Sequence, residues 1–196
     1  MHNQKRANKD NAKTNSNRTL MLPETIHTDR LILRPYTDKD IDDIMEYAVD
    51  PNWSKFLPVP HPYARSHAVE FVKAQLSRDN HLTSGWAIQH NNKVVGGIDI
   101  RFNHENCRAD IGYSIAPSLW GQGFATEAAH KIIDLTFKTF PTLRRIMATA
   151  DAENIGSLRV MEKLGMKKEG LLRKHRITHG KEVDVVICSV LREEWD

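Results

Sequence analysis

Cysteine is nearly absent from this chain of 196 residues: there are two, Cys107 and Cys188, each in a strand-like run and with no CxxC spacing. Neither a disulfide framework nor a zinc site is expected, and the setting expected is reducing and cytoplasmic. No stretch approaches the ~18 consecutive apolar residues of a membrane span, and residues 1–19 lack the apolar centre of a signal peptide. One-sided charge is missing too. Lys and Arg number 28 against 25 Asp and Glu, for a formal net charge of +3, with both signs mixed along the chain. That leaves no footprint for specific nucleic-acid binding, only a mild preference for anionic ligands. The ten histidines show no HExxH or similar spacing, so no metal is expected. There is no internal repeat.

What is present suits one globular domain. Apolar residues make up 40% and charged residues 27% of the chain, ordinary values for a protein with a single sizeable core. Residues 1–22 read as a polar tail rich in Asn, Lys and Arg that cannot bury enough surface to order itself; a basic arm touching RNA or a ribosome is the functional alternative. Residues 23–196 read as the folded domain. Strand patterns at 30–36, 85–89, 93–102 and 107–116 are interleaved with helical patterns at 38–48 and 64–78. Connections at 90–92 and 103–106 are of hairpin size. Residues 52–62 hold three prolines with Trp53, Phe56 and Leu57, and read as a loop with an apolar anchor.

After Pro117 the period changes. Ala125, Ala128, Ala129, Ile132, Ile133, Phe137 and Phe140 recur at helical spacing, and Pro141 follows. A strand at 143–150, a helix at 154–164 and two strands at 166–173 and 183–191 complete the chain. Antiparallel strands followed by a strand–helix–strand crossover predict a mixed α/β domain. The crossover should be right-handed and its two strands parallel.

The most informative stretch is Ser118 to Glu127, SLWGQGFATE, between a strand and a helix. Gly121 and Gly123 let backbone approach a ligand closely. The N–H groups of Phe124, Ala125 and Thr126 open the helix, where its dipole adds partial positive charge. Such a cradle suits a diphosphate. It has neither the Gly-Lys-Ser/Thr ending of a Walker loop nor a GxGxxG fingerprint, and a glycine-softened turn is the plainer reading.

With Asp110–Pro117 (DIGYSIAP) before it, the stretch Trp120–Ala128 (WGQGFATEA) resembles the acetyl-coenzyme A motif of the GNAT acetyltransferases, whose pattern is R/Q-x-x-G-x-G/A. Trp120 stands where the family has Arg or Gln. The segments Thr28–Pro35 (TDRLILRP) and Asn154–Gly165 (NIGSLRVMEKLG) add to the likeness, which is nearest the ribosomal-protein-alanine acetyltransferase branch and spans about residues 24–192. It implies a central, mostly antiparallel sheet flanked by helices and splayed at its one parallel strand pair. It also implies acetyl-CoA as cosubstrate, held by Tyr113, Ser114, Ile115, Gly121, Gln122, Gly123, Phe124, Ala125, Thr126 and Asn154. A bulge near Gly112 and Tyr113 would free an N–H, near Tyr113 or Ser114, to polarise the thioester carbonyl.

Many relatives carry a thiolate-protonating Tyr at the position of Met161, and Met cannot donate a proton. Ser157 lies one turn earlier on the same helical face, where the resembling branch commonly has Ser; the resemblance implies a donor or acid for the departing thiolate, and a solvent-facing helix serine is the alternative. Asn154 either bonds the pantetheine amide or simply caps its helix. Neither cysteine has a base partner, so direct attack in a ternary complex is expected, without an acetylated enzyme. For the general base, a symmetric 103–106 loop would set Asp99 against Asp110 and Arg101 against Arg108; facing carboxylates would raise one pKa, with Asp110 preferred as nearer the bulge, while an exposed ladder of Asp–Arg salt bridges is the plainer reading. Trp53, Phe56 and Trp86 form the expected acceptor wall, or else a hydrophobic plug. Three functional readings follow: acetylation of a protein or peptide α-amine, acetylation of a small amine (polyamine, amino sugar or drug), and a non-catalytic acyl-CoA-binding module. A homodimer is compatible with each.

Overall fold

The structure, a computed structural model, describes residues 20–79 and 81–195. Most of the expected polar tail therefore lies outside the described residues. Leu22, assigned above to the tail, is buried in the main core.

An eight-stranded sheet forms the frame: β1 (Ile26–His27), β2 (Ile32–Arg34), β3 (Thr83–His90), β4 (Lys93–Asn103), β5 (Arg108–Ile115), β6 (Arg145–Asp151), β7 (Lys167–Thr178) and β8 (Lys181–Leu191), in the spatial order β1-β2-β3-β4-β5-β6-β8-β7. All neighbours are antiparallel except β5 and β6. Alternation in β4 and β5 gives the sheet one apolar face, and the slip at Val95 carries Val94 to a second apolar cluster on the other. On one face Ile98, Ile100, Ala109 and Ile111 meet Phe124, Ala128, Ile132 and Ile133 of helix α4 (Phe124–Thr139) and Met161 of α5 (Ile155–Lys163). On the other, Tyr36, Ala87, Val94 and Ala116 meet α1 (Ile41–Ala48) and α3 (Arg65–Leu76) through Ile44, Ala48, Ala68 and Val72. A one-turn helix, α2 (Pro51–Ser54), sits in the segment read as loop, started by Pro51 and by the Asp50 carboxylate accepting from Asn52 N–H.

The sixteen-residue α4 is the longest helix and presents the cradle. Gly123, in the left-handed region at φ +84°, is its N-cap. Its C-terminal carbonyls are met from far along the chain. Arg192 Nη1 donates to Phe137 O at 2.8 Å and a further bond runs to Phe140 O at the C-cap, while Nε donates to Leu143 O, in the turn beyond the helix, at 2.7 Å. A cation at a helix C-terminus is favoured on dipole grounds as well.

Two expectations about β5 fail. Asn103 pairs with Arg108, so the connection is 104–107 rather than 103–106. Asp99 consequently faces Gly112 and Asp110 faces Arg101. The same-face parity survives because the slip is two residues, but the carboxylates do not face each other. Nor does β5 carry a bulge at Gly112–Tyr113: its register with β4 is unbroken from Arg108 to Ile115. The irregularity lies one strand over, where β3 and β4 slip at Ile88/Gln89 and Val95 is the extra residue.

Candidate active site

The parallel pair is short. β5 and β6 pair only at Arg108, Ala109 and Asp110 with Arg145, Ile146 and Met147. Beyond that point β5 runs on to Ile115 and β6 to Asp151 without pairing to each other. The strands part like a V. Ala116 N–H donates to Val95 O of β4 at 2.7 Å. Since hydrogen-bonding groups alternate sides along an antiparallel strand, Ile111, Tyr113 and Ile115 turn their N–H groups away from β4, into the gap. The freed donor is thus at Tyr113; that of Ser114 points to β4. Unpaired strand backbone of this kind is what an extended chain can add itself to.

At the wide end Trp120 performs a task its sequence position did not reveal. Its indole Nε1 donates to Ile115 O at 2.7 Å, satisfying a carbonyl that β6 no longer reaches. Gly121 follows at φ +77°, and a Cβ built on it would meet nothing within 4 Å. Within α4 the first helical bond is Glu127 N to Gly123 O at 2.9 Å. The N–H groups of Phe124, Ala125 and Thr126 are thereby left to an external acceptor. Phe124 and Ala125 offer only backbone, since the Phe124 ring is in the core and Ala125 packs against it. Gln122 is engaged at both ends: its side-chain amide donates to Ser118 O at 3.3 Å and its carbonyl accepts from Arg30.

Arg30 is the residue sequence reading missed. It reaches α4 from the β1–β2 turn. Its Nε donates to Glu127 Oε2 at 2.6 Å, its Nη1 to Gln122 O at 2.9 Å, and its guanidinium carbon lies 4.3 Å from the centre of the Phe124 ring. Nη2 lies 3.5 Å from where a Gly123 Cβ would be, over the cradle. Burial pushes the Glu127 carboxyl upward, but bonds from the Thr28 hydroxyl and from the Arg30 N–H and guanidinium outweigh it and hold the group below the usual range. Outside the cradle an open groove of about 640 Å³ is lined by Thr126, His130, Lys131 and Lys163 among others.

On the opposite face of the sheet a cleft of about 220 Å³ reaches Gly97, Asp99, Arg101, Gly112, Tyr113 and Ser114. Its wall includes Tyr36, Tyr47, Trp53, Leu57, Tyr63 and Phe71. The Tyr36 hydroxyl occupies the space where a side chain on Gly97 would stand, and Asp99 Oδ1 lies 2.9 Å from the Cβ position of Gly112. Burial raises the Asp99 carboxyl pKa, against the opposing pull of Arg101 at 3.3 Å and Arg78 at 3.6 Å. Of the expected wall, Trp53 lines the cleft. Phe56 does not; it stacks under Lys55. Trp86 is 3% exposed in the α4-side core, with its indole donating to Pro23 O at 3.1 Å. Its ring faces away from the cleft because β3 alternates. Asp110 pairs where the V is still closed and does not line the cleft.

At the far side of the gap Asn154 caps α5, its Oδ1 accepting from Ser157 N–H at 3.1 Å. Ser157 Oγ is 3.2 Å from the Tyr113 hydroxyl. Met161, on the same face, is 1% exposed in the core. Cys188 is buried, with its thiol pKa raised by burial, while Cys107 sits in the 104–107 turn. Among the described residues no group of three or more His, Cys, Asp or Glu is placed to hold a metal, and no helix is long and apolar enough to cross a membrane.

Known proteins are similar to this chain in sequence and fold. Residues 30–167 match the model of the acetyltransferase (GNAT) domain. The chain is 34% identical, over 88% of its length and 98% of the relative's, to the uncharacterised N-acetyltransferase p20 of Bacillus licheniformis. A solved GNAT-family acetyltransferase from Bacillus anthracis superposes with a TM-score of 0.77 at 28% identity, covering 87% of this chain and 99% of that one. At the level of fold alone, RimL, the ribosomal L7/L12 alpha-N-protein acetyltransferase, gives a TM-score of 0.74 at 18% identity, covering 87% and 97%. The single splayed parallel pair, the cradle and these likenesses together place the chain in the GNAT family of acetyltransferases, as an N-acetyltransferase.

Proposed function

We propose that the chain moves the acetyl group of acetyl-CoA to the α-amine of a protein or peptide, by direct attack in a ternary complex. The observation that carries the reading is the juxtaposition of three parts: an open helix N-terminus with two positive-φ glycines, a strand gap with unpaired N–H groups, and a separate cleft meeting that gap at Gly112–Ser114. Acetyl-CoA supplies an acyl carbon activated as a thioester. The N–H groups of Phe124 to Thr126 and the Arg30 guanidinium would hold its diphosphate, with Lys131 and Lys163 beside them. Ile111, Tyr113 and Ile115 would bond the pantetheine arm as a strand. The Tyr113 N–H would stand at the carbonyl oxygen, where one such donor typically contributes ~3 kcal/mol to the transition state.

In this reading the base is Asp99 and not Asp110. Asp99 lines the cleft, it is held near the gap by the absence of a side chain on Gly112, and burial moves its pKa toward the range a base needs. The cleft also favours the kind of acceptor. Its one carboxylate, Asp99, is matched by Arg78 and Arg101, so it lacks the excess negative charge that would draw a polyamine or amino sugar. An α-amine, with pKa ~8 against ~10.4 for lysine, needs little help to arrive neutral. The fold shared with RimL, an alpha-N-protein acetyltransferase by name, points the same way. The test is CoA release with short peptides bearing free or blocked N-termini, alongside spermidine and an aminoglycoside. Turnover confined to free N-termini is expected. Turnover with the polycations alone would overturn the choice of acceptor, and none with any amine would overturn catalysis.

A further inference from the structure

The Tyr113 side chain crosses the mouth of the gap from β5 to α5. Its hydroxyl lies 3.2 Å from Ser157 Oγ and 3.3 Å from Ser157 O. A tyrosine in a strand beside a helix needs no such bond for packing, because its ring already touches the α4-side core. Ser157 itself is tied at its backbone by the Asn154 cap, which fixes the first turn of α5 but leaves the serine rotamer free. A hydroxyl swings among three staggered positions, and only one of them can serve a given acceptor.

We propose that Tyr113 is a positioning residue for acetyl transfer: its single hydroxyl proton, shared between Ser157 O and Ser157 Oγ in a three-centre bond, leaves the serine O–H to point at the departing sulfur. The inference rests on the acetyl-transfer reading above. The amine forms the new C–N bond, the C–S bond breaks, and the electron pair stays on sulfur. The amine proton leaves toward Asp99 and solvent, while the two hydroxyl protons remain where they are. Proton transfer from the phenol itself is disfavoured. Burial, partly offset by the bond to Ser157, pushes the Tyr113 pKa up to about 12, whereas an ordinary thiol has one of ~8.5. Handing over the proton would thus be uphill by a factor of roughly three thousand. A bonded pair of hydroxyls instead polarises in the direction of the acceptor.

Tyr113→Phe keeps the ring and removes the donor. We expect kcat to fall about tenfold with the acetyl-CoA KM within about twofold. Ser157→Ala should fall at least as far, and the double variant no further than Ser157→Ala, since the two act as one unit. Ser157→Thr should retain most of kcat. A second readout needs no acceptor: the thiol of bound CoA, titrated by thiolate ultraviolet absorbance, should have a lower pKa on the native chain than on Tyr113→Phe. Equal thiol titrations, or losses that multiply in the double variant, would overturn the positioning role while leaving acetyl transfer intact. A native chain that binds no CoA would overturn both.

Discussion

Arg30 offers the sharpest perturbation, because it belongs to neither glycine motif nor strand gap. Arg30→Gln removes one positive charge over the cradle and uncovers Glu127, a carboxylate in the first turn of the same helix. With a diphosphate about 5 Å from the guanidinium and an intermediate dielectric, one charge pair contributes ~1.5 kcal/mol. That figure already takes the strongly screened end of the intermediate dielectric, because the side chain is 43% exposed. Exposure of Glu127 adds roughly 0.5 kcal/mol of repulsion. The sum, ~2 kcal/mol, is about a thirtyfold rise in the acetyl-CoA dissociation constant. The assay compares acetyl-CoA with acetyl-pantetheine, which has the thioester and the arm but no diphosphate. Calorimetric binding of acetyl-CoA should weaken about thirtyfold and that of acetyl-pantetheine by less than twofold. The difference should shrink as salt is raised, because the interaction is screened. Equal weakening of both ligands would mean that Arg30 acts only by bracing α4, and no weakening of either would refute its place at the cradle.

Other outcomes follow from the same geometry. As the proposed base, Asp99 would act only when ionised, above its raised pKa, so its contribution should be lost as pH falls through that value. Asp99→Asn should lower kcat/KM at neutral pH about 100-fold, and the deficit should narrow above pH ~8, where an α-amine arrives neutral; Asp110→Asn should stay within about threefold, and a large effect there would restore it as the base. Gly97→Ala would push the Tyr36 hydroxyl out of the cleft floor, raising the acceptor KM several-fold with little change in the acetyl-CoA KM, measured by initial rates. Intact-mass measurement after incubation with acetyl-CoA alone should show no acetyl group on Cys107 or Cys188.

The cradle was legible because its signals are local: two glycines between a strand and a helical period, within ten residues. The same holds for α4, whose alanines and isoleucines fix a face whatever it packs on. Arg30 was not legible, because the bond that gives it a role spans 97 residues and nothing in the Thr28–Pro35 segment announces a helix N-terminus elsewhere. The expected facing of Asp99 and Asp110 failed through a small error with a large consequence. Shifting the turn from 103–106 to 104–107 moves every cross-strand partner by two positions, so Asp110 meets Arg101 in place of Asp99. Trp86 was expected at the acceptor wall, but which side of β3 faces the cleft depends on which helices cover which face. The departure from consensus at Trp120 also made sense only in three dimensions, through the Ile115 carbonyl left unpaired by the splay.

The central claim is that the start of α4 seats the diphosphate of acetyl-CoA. A thermal scan of the native chain with CoA at about 100 times its dissociation constant should show a raised Tm, reflecting ~2.7 kcal/mol of added stability. Gly123→Val places a β-branched side chain at φ +84° beside the Arg30 guanidinium. Strain should lower the Tm of the ligand-free variant, and CoA should then produce no further shift. A native chain whose Tm ignores CoA, or a Gly123→Val variant that shows the full shift from its own lower baseline, would contradict the account.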